Sequence, residues 1–347
     1  MRAIQPQNML TDNFHRTIDY MRISITDRCN LRCVYCMPSG GLKFLEHKDI
    51  LQYEEIVRIL RIAVHTGVRR VRITGGEPLV RNNITHLIKM IKSIGGIDEL
   101  SITTNGILLS RYAGELADAG LDRVNISLDS LKPDIYREIT RGGDIDAVLR
   151  GIEAAEKAGL VPIKLNMVPI RGLNDDEIVE FAKITLTSPY QVRFIEFMPF
   201  VAEDMWNQEK FISTEEIKSI VEQTGNLVPV KTRKSGPARY FRFEGAAGVV
   251  GFISPISNHF CKECNRLRLT ADGKLRPCLF SETEIDLKPA LRNNGPDAEI
   301  KRLIELSIAV KPEGHSIKME NSFRAAGSFV SNVFRNTHRR PMSKIGG

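Results

Sequence analysis

Six cysteines stand in two groups of three. Cys29, Cys33 and Cys36 are spaced Cys-x3-Cys-x2-Cys, and Cys261, Cys264 and Cys278 are spaced Cys-x2-Cys-x13-Cys. Three thiolates on so short a loop can wrap around one metal centre, whereas an odd number per group is awkward for local disulfide pairing. Without a secretory signal, clustered cysteines are more often metal ligands or catalysts than disulfide partners. A structural zinc ion asks for four closed ligands, and the first group lacks a fourth thiolate. A [4Fe-4S] cluster held by three cysteines instead leaves one iron open, where a chelating small molecule can bind and receive an electron. In the second group His259 lies close to Cys261, so on spacing alone a Cys3His zinc knuckle stays open beside a second cluster.

Two further groups of residues invite chemistry. Gly75-Gly76-Glu77-Pro78 could bring backbone close to a ligand while Glu77 accepts from an ammonium group, although alone this tetrad is equally an ordinary strand-to-helix turn. Arg266 and Arg268 share one face of a strand by its period of two. Beside an open iron, such a pair suits a phosphate-bearing substrate; two solvent-facing arginines are the plain alternative.

Regular elements must position these residues. Arg22 to Thr26 alternates polar and apolar as a strand does, and residues 53–65 carry an apolar helical face that ends at Gly67. Further strands are expected at 71–74, 99–104, 122–128, 161–168 and 190–197, separated by helices near 83–93, 110–118, 133–139, 144–158 and 174–184. Short strands separated by helices make parallel βαβ units, because a parallel neighbour needs a crossover. Polar residues collect at or near the C-terminal ends of strand after strand: Arg28, Glu77, Thr103, Ser127, Lys164, Glu196. That is barrel-like. The rhythm breaks after Pro199. The expected fold is therefore α/β: an incomplete, six-stranded parallel β/α barrel over residues 1–200, followed over 201–347 by a smaller α+β domain holding the second cysteine group and the substrate. Within it a helix is expected at 213–223, strands near 239–244 and 249–253, and a hairpin tipped by Asp272-Gly273.

Composition narrows the classes. At roughly 150 residues per domain, 347 residues suggest about two domains. A hydrophobic share of 42% with 26% charged residues is that of a folded protein, not a disordered one. No run approaches the ~18 apolar residues of a bilayer span, and no apolar core precedes a small-residue cleavage site, so a cytoplasmic location and no membrane partner are expected. The formal charge of +7 favours an anionic partner. The seven histidines form no metalloprotease pair, and no glycine-rich stretch carries the lysine of a phosphate-binding P-loop.

Arg22-Ile-Ser-Ile-Thr-Asp-Arg-Cys29-Asn-Leu-Arg-Cys33-Val-Tyr35-Cys36, followed by Gly75-Gly76-Glu77-Pro78, resembles the radical S-adenosylmethionine superfamily. With Cys261-x2-Cys264-x13-Cys278, Asn265-Arg-Leu-Arg268 and a terminal Gly346-Gly347, nearly the whole chain is similar to the GTP 3′,8-cyclase family within it. The resemblance implies two [4Fe-4S] clusters and S-adenosylmethionine, whose reductive cleavage gives a 5′-deoxyadenosyl radical that removes the ribose 3′ hydrogen of GTP before the sugar radical attacks C8 of guanine. It implies S-adenosylmethionine contacts at Tyr35, Gly76, Ser127 and Met198, and GTP contacts at Arg22, Arg72, Thr103, Lys164, Arg266, Leu267 and Arg268. Arg266 and Arg268, with a Gly346-Gly347 tail entering the site, are the residues expected to serve catalysis. It also implies a downstream cyclic pyranopterin monophosphate synthase and a reducing electron donor, with no nucleic-acid partner, and leaves room for a homodimer. Two rivals follow from the residues themselves: a two-cluster radical enzyme modifying RNA or a peptide, and a non-catalytic module holding zinc at both sites.

Overall fold

Alternation in Tyr20-Met-Arg-Ile-Ser sends Met21 and Ile23 to one side of strand β1 (Tyr20–Ser24) and Tyr20, Arg22 and Ser24 to the other. The same rule builds β2 (Arg70–Thr74), β3 (Glu99–Thr104), β4 (Arg123–Ser127), β5 (Lys164–Met167) and β6 (Gln191–Ile195). The computed structural model describes residues 10–38, 40–199, 206–231, 236–315, 317 and 342–345. Helices α1 (Tyr53–His65), α2 (Ile84–Lys92), α3 (Leu109–Asp118), α4 (Pro133–Thr140), α5 (Ile145–Lys157) and α6 (Ile178–Thr187) return the chain for each parallel neighbour. Helix α1 begins at a reciprocal cap between the Gln52 and Glu55 side chains and stops where Gly67 adopts φ 116°.

One face of the sheet is apolar throughout. Met21, Ile23, Val71, Ile73, Ile102, Val124, Ile126 and Phe194 pack with Ile56, Leu60, Leu87 and Leu116 of the helices in one fully buried cluster. Each such side chain stabilises the fold by about 1.5–3 kcal/mol. The opposite face carries the polar partners in each alternation.

The six expected strands are adjacent and parallel in chain order, but they are not the whole sheet. The strand order is β12-β11-β10-β1-β2-β3-β4-β5-β6-β9-β8-β7. Strand β9 (Val249–Ile253) runs parallel to β6, and β10 (Arg266–Leu269) runs parallel to β1. Antiparallel strands continue each flank, β8 (Ala238–Phe243) and β7 (Leu227–Val230) beyond β9, and β11 (Lys274–Arg276) and β12 (Ile285–Asp286) beyond β10. The expectation of a six-stranded unit with the later strands set apart is thus corrected. Left alone, β1 and β6 would each present a row of unpaired backbone groups, and the C-terminal strands satisfy both rows. Helices α7 (Thr214–Val221), α8 (Lys288–Arg292), α9 (Asp297–Ala309) and α10 (Met342–Ile345) complete the described elements.

Several boundaries also differ from expectation: β1 lies two residues earlier than 22–26, β6 ends at Ile195, and two further elements start late. Strand β5 starts at Lys164, and α6 starts at Ile178 after a short 3-10 turn at Asp175–Glu177. Asn174 accounts for the shift of α6: its side chain accepts from Ile170 N at 2.7 Å and donates to Asp129 O at 2.6 Å, knotting a loop where helix was expected.

The sheet curls towards its polar face. Arg72 on β2 and Arg193 on β6 are four strands apart, which is about 19 Å across a flat sheet at ~4.8 Å per strand. Yet, after burial, the charge of Arg193 is among the causes that lower Arg72, and Tyr20 on β1 acts on Arg193 in turn, so the polar face is concave enough to bring these strands within electrostatic reach of one another.

Docking of β9 against β6 depends on Gly248, where any Cβ would lie 2.3 Å from Tyr190 O and 2.5 Å from Ser188 O. Gly248→Ala is expected to destabilise the chain by about 1–3 kcal/mol, read as a lower urea midpoint; an unchanged midpoint would show that β9 docks loosely.

Candidate active site

Register assembles the polar face row by row. Arg268, Arg22, Arg72, Ser101 and Arg123 stand side by side across β10, β1, β2, β3 and β4. One step further along come Thr103, Asn125 and Lys164, and beyond them Ser127, Asn166, Arg193 and Gly251. Glu99 pairs with Arg123, and Asn125 Oδ1 accepts from Arg123 at 3.0 Å and Arg193 at 2.9 Å. The cations outnumber what these groups neutralise. Burial, with Arg268 and Arg72 alongside, pushes Arg22 well below the ordinary arginine range. Burial, with Arg123 and Arg193 nearby, brings Arg72 down to about 10, and burial with Arg266 brings Arg268 to about 9. Lys164 falls to about 6, through burial and the charges of Arg193, Arg123 and Arg72.

The same face holds polar atoms that protein does not satisfy. Arg72 Nε, Thr103 Oγ1, Asn166 Oδ1 and Arg193 Nε are buried without a hydrogen-bond partner among the described residues. An orphaned buried polar atom costs about 1–3 kcal/mol. A polyanion lying on this face would meet cations and donors together. Gly251 leaves room for the Tyr240 ring, which a Cβ would approach to 2.8 Å, and the Tyr240 hydroxyl lies 3.4 Å from Lys164 Nζ.

The first cysteine triad sits beyond the C-terminal ends of β1 to β4. Asn105, after β3, directs Nδ2 at Cys29 Sγ over 3.8 Å, and Leu31 N lies 3.4 Å from the same sulfur. Burial, together with Cys36, Asp129 and Cys29, pushes the Cys33 thiol well up. Burial and the neighbouring sulfurs disfavour a charged Cys33, a cost that a cationic centre ligated by all three sulfurs would offset, so the donor set fits a metal cluster. Gly75 and Gly76 admit the cysteine loop, whose backbone passes too close to them for any side chain. A Cβ on Gly75 would lie 2.5 Å from Thr26 O and one on Gly76 2.3 Å from Arg28 O. Glu77 also ties these loops together. Its buried carboxylate accepts from Leu79 N at 3.0 Å, Thr104 Oγ1 at 2.8 Å and Asn105 N at 2.7 Å, binding the loop after β2 to the loop after β3, and burial lifts it to about 7.

The second triad occupies the opposite end of the face. Cys264 lies two residues ahead of β10 and Cys278 two residues after antiparallel β11, so both stand where β1 begins, whereas Cys29 follows its end. The five residues of β1 separate the two ends, roughly 17 Å at ~3.3 Å per residue. Burial alone would raise Cys264, but Arg266 and Lys311 prevail and hold it at about 6. The Arg16 guanidinium donates to Asp12 Oδ2 at 2.6 Å, Cys261 O at 2.7 Å, Glu313 O at 2.8 Å and Pro312 O at 2.6 Å, fixing the first arm of the triad. Glu196, after β6, accepts from Thr214 N at 2.8 Å, Ile256 N at 2.9 Å and Ser257 N at 3.0 Å, anchoring the segment that leads into this loop. His259, Cys261 and His315 place ligand atoms within 4.8 Å of one another, so a second histidine joins the one noted in the sequence.

Other expected site residues are placed as follows. The Tyr35 hydroxyl donates to Asp129 at 2.5 Å, which leaves its ring rather than its oxygen to face a ligand; burial lifts Asp129 to about 6. Ser127 ends β4 on the polar face, and Met198 packs beside Phe211, Ile256 and Ile317. Arg266 is half-buried with its guanidinium 4.7 Å from the Phe260 ring centroid. The Leu267 side chain turns into the apolar cluster, so only its backbone is available on the polar side. Gly346 and Gly347 lie outside the described residues; just before them, Ile345 is fully buried and α10 packs on β1. Sequence reasoning missed Arg16, Arg123, Lys311 and Tyr240, none of which belongs to a motif. Alternation on β4 was the signal available for Arg123.

Residues 23–184 match the Radical SAM superfamily model and residues 190–317 the Molybdenum Cofactor Synthesis C model. Fold and cysteine loop together define a radical S-adenosylmethionine protein. A GTP 3′,8-cyclase of Thermodesulfovibrio yellowstonii is 53% identical over 88% of this chain and 96% of its own length, and one of Alkaliphilus oremlandii is 51% identical over 97% and 100%. The chain belongs to the GTP 3′,8-cyclase family. Among solved structures, Streptococcus suis SuiB bound to S-adenosylmethionine has the same fold, with a TM-score of 0.57 at 16% identity over 80% of this chain and 66% of that one.

Because Gly76 abuts the Arg28 carbonyl, Gly76→Ala is expected to push the Cys29 loop aside. In a full-length chain whose second triad is replaced by serine, the variant should lose most of its reconstituted iron; full iron content would show that the loop yields without cost.

Proposed function

We propose that this chain converts GTP to (8S)-3′,8-cyclo-7,8-dihydroguanosine 5′-triphosphate, an early step of molybdenum cofactor synthesis, using S-adenosylmethionine and a [4Fe-4S] cluster on each cysteine triad. The observation that carries this reading is a concave row of buried, under-neutralised cations running between two three-cysteine groups. When bound, the first cluster and S-adenosylmethionine supply the radical that takes the ribose 3′ hydrogen. The residues of the chain do the rest of the positioning. Arg22, Arg72, Thr103 and Lys164 bind the triphosphate, each charge-assisted bond contributing roughly 1.5–3 kcal/mol. Arg266 and Arg268, with the Leu267 backbone between them, orient the nucleoside so that guanine meets the second triad. Tyr35, Gly76, Ser127 and Met198 border the S-adenosylmethionine side. Gly346 and Gly347 complete the site, since glycine lets backbone approach a ligand closely.

The triphosphate is favoured over RNA or a peptide because the cations are buried rather than arrayed on an open surface. We assign residues 1–200 to the radical-generating part and 201–347 to the part holding the second cluster and the substrate. The product passes to a cyclic pyranopterin monophosphate synthase, and a reducing donor in the cytoplasm charges the first cluster. Among the described residues no helix is long and apolar enough to cross a membrane.

Anaerobic incubation of reconstituted protein with S-adenosylmethionine, dithionite and GTP should yield 5′-deoxyadenosine and the cyclised nucleotide together; deoxyadenosine without a cyclised nucleotide would exclude GTP as substrate. Arg266→Ala should weaken GTP binding about tenfold or more while iron content holds, and unchanged affinity would remove Arg266 from the site.

Lys164 adds a pH signature. With its proton affinity held at about 6 in the free protein, it is mostly neutral above pH 7, and a bound triphosphate restores the proton. Binding therefore takes up a proton, and affinity falls as pH rises above 6, by up to about tenfold per unit. Calorimetry in buffers of different ionisation enthalpy should detect this uptake in the natural chain and a smaller one in Lys164→Met; equal uptake in both would show that Lys164 is already charged.

A further inference from the structure

Lys311, just past α9, sends its ammonium between the arms of the second cysteine hairpin. The residue is 3% exposed, and Nζ donates to Arg266 O at 2.8 Å and Pro277 O at 2.6 Å. Pro277 immediately precedes Cys278, and Arg266 lies two residues after Cys264, so one side chain ties together both arms that carry the sulfurs. Among the described residues no carboxylate forms an ion pair with it. The charged groups that face it are Cys264 and Cys278, which favour the ammonium, and Arg266 and Arg16, which oppose it. A buried ammonium without a countercharge is costly, so the negative charge that repays this one comes from the hairpin sulfurs and whatever they ligate.

We infer that Lys311 is a positioning residue that also sets the reduction potential of the second iron–sulfur centre: its two hydrogen bonds fix the hairpin arms, and its charge makes the centre easier to reduce. The inference rests on the reading of the second triad as a cluster site. Reduction adds a negative charge to the cluster, and a fixed cation in a low-dielectric surround favours the more negative state. Arg266 offers its guanidinium to substrate. Lys311 cannot, because it is sealed from solvent and spends its donors on two carbonyls.

The test uses the full chain carrying Cys29→Ser, Cys33→Ser and Cys36→Ser, which leaves the second triad as the remaining cysteine group. If this protein assembles no iron–sulfur cluster, the two-cluster reading fails before Lys311 is reached. If it does, Lys311→Met, Lys311→Gln and Lys311→Arg are compared by iron content and by redox titration followed with electron paramagnetic resonance. Lys311→Met and Lys311→Gln should lower the reduced-to-oxidised ratio at a fixed solution potential about tenfold, equivalent to about 59 mV for a one-electron couple, and Lys311→Arg should restore it. Failure of Met and Gln variants to hold iron, with the Arg variant loaded, equally supports a required charge. Normal iron with an unshifted potential in Met and Gln variants overturns the inference, as does loss of iron in all three.

Discussion

Repulsion among Arg22, Arg72, Lys164, Arg193 and Arg268 must be borne by something, and in this protein the apolar shell behind the strands bears it. Every second residue of β1 to β6 is locked between sheet and helices, so the alternate residues have no choice but to face the concavity. A parallel barrel ordinarily fills its interior with branched apolar side chains. Here the filling is guanidinium, amine, amide and hydroxyl, with Arg72 Nε, Thr103 Oγ1, Asn166 Oδ1 and Arg193 Nε buried without a partner among the described residues. The interior is thereby unfavourable when empty of anions and favourable when one enters, which converts folding energy from the shell into readiness for a charged ligand.

Clamps at either end give that concavity its direction. Glu77 and Asp129 knit the loops around the first triad, while Arg16, Glu196 and Lys311 hold the second. Each is a buried charged side chain with at least one hydrogen bond to loop backbone, and Glu77, Arg16, Glu196 and Lys311 make most of theirs that way. Loops without regular hydrogen-bond ladders would otherwise pay for every buried peptide group. The two sulfur groups are consequently held at fixed, opposite mouths of one cationic face.

Much of this was legible in the chain. Period-two and helical patterns located the six strands and their helices to within a few residues, because local burial dictates them. The cysteine spacings and the Arg266–Arg268 pair announced themselves through spacing. What escaped was long-range. Val249 to Ile253 reads as a buried strand, yet nothing local says that β6 is its neighbour, and β10 joins β1 across some 246 positions. Two of the three donors to Glu77, Thr104 Oγ1 and Asn105 N, come from the far end of β3, a link that no local pattern announces. Lys311 carries no signature, since its partners are carbonyl oxygens, which every residue possesses, and of Arg16's partners only Asp12 is a local side chain, the others being distant carbonyls.

Flanking of the parallel core by β9 and β10 has a bearing on biosynthesis. When Ile195 has emerged from the ribosome, both margins of the nascent sheet remain bare, and the strand that covers β1 ends only at Leu269, 74 positions later. At typical elongation rates of 5–20 residues per second, that interval lasts roughly 4 to 15 s. During it the incomplete sheet offers two sticky borders to its surroundings, so chaperone protection of the nascent chain matters more here than in folds that close locally.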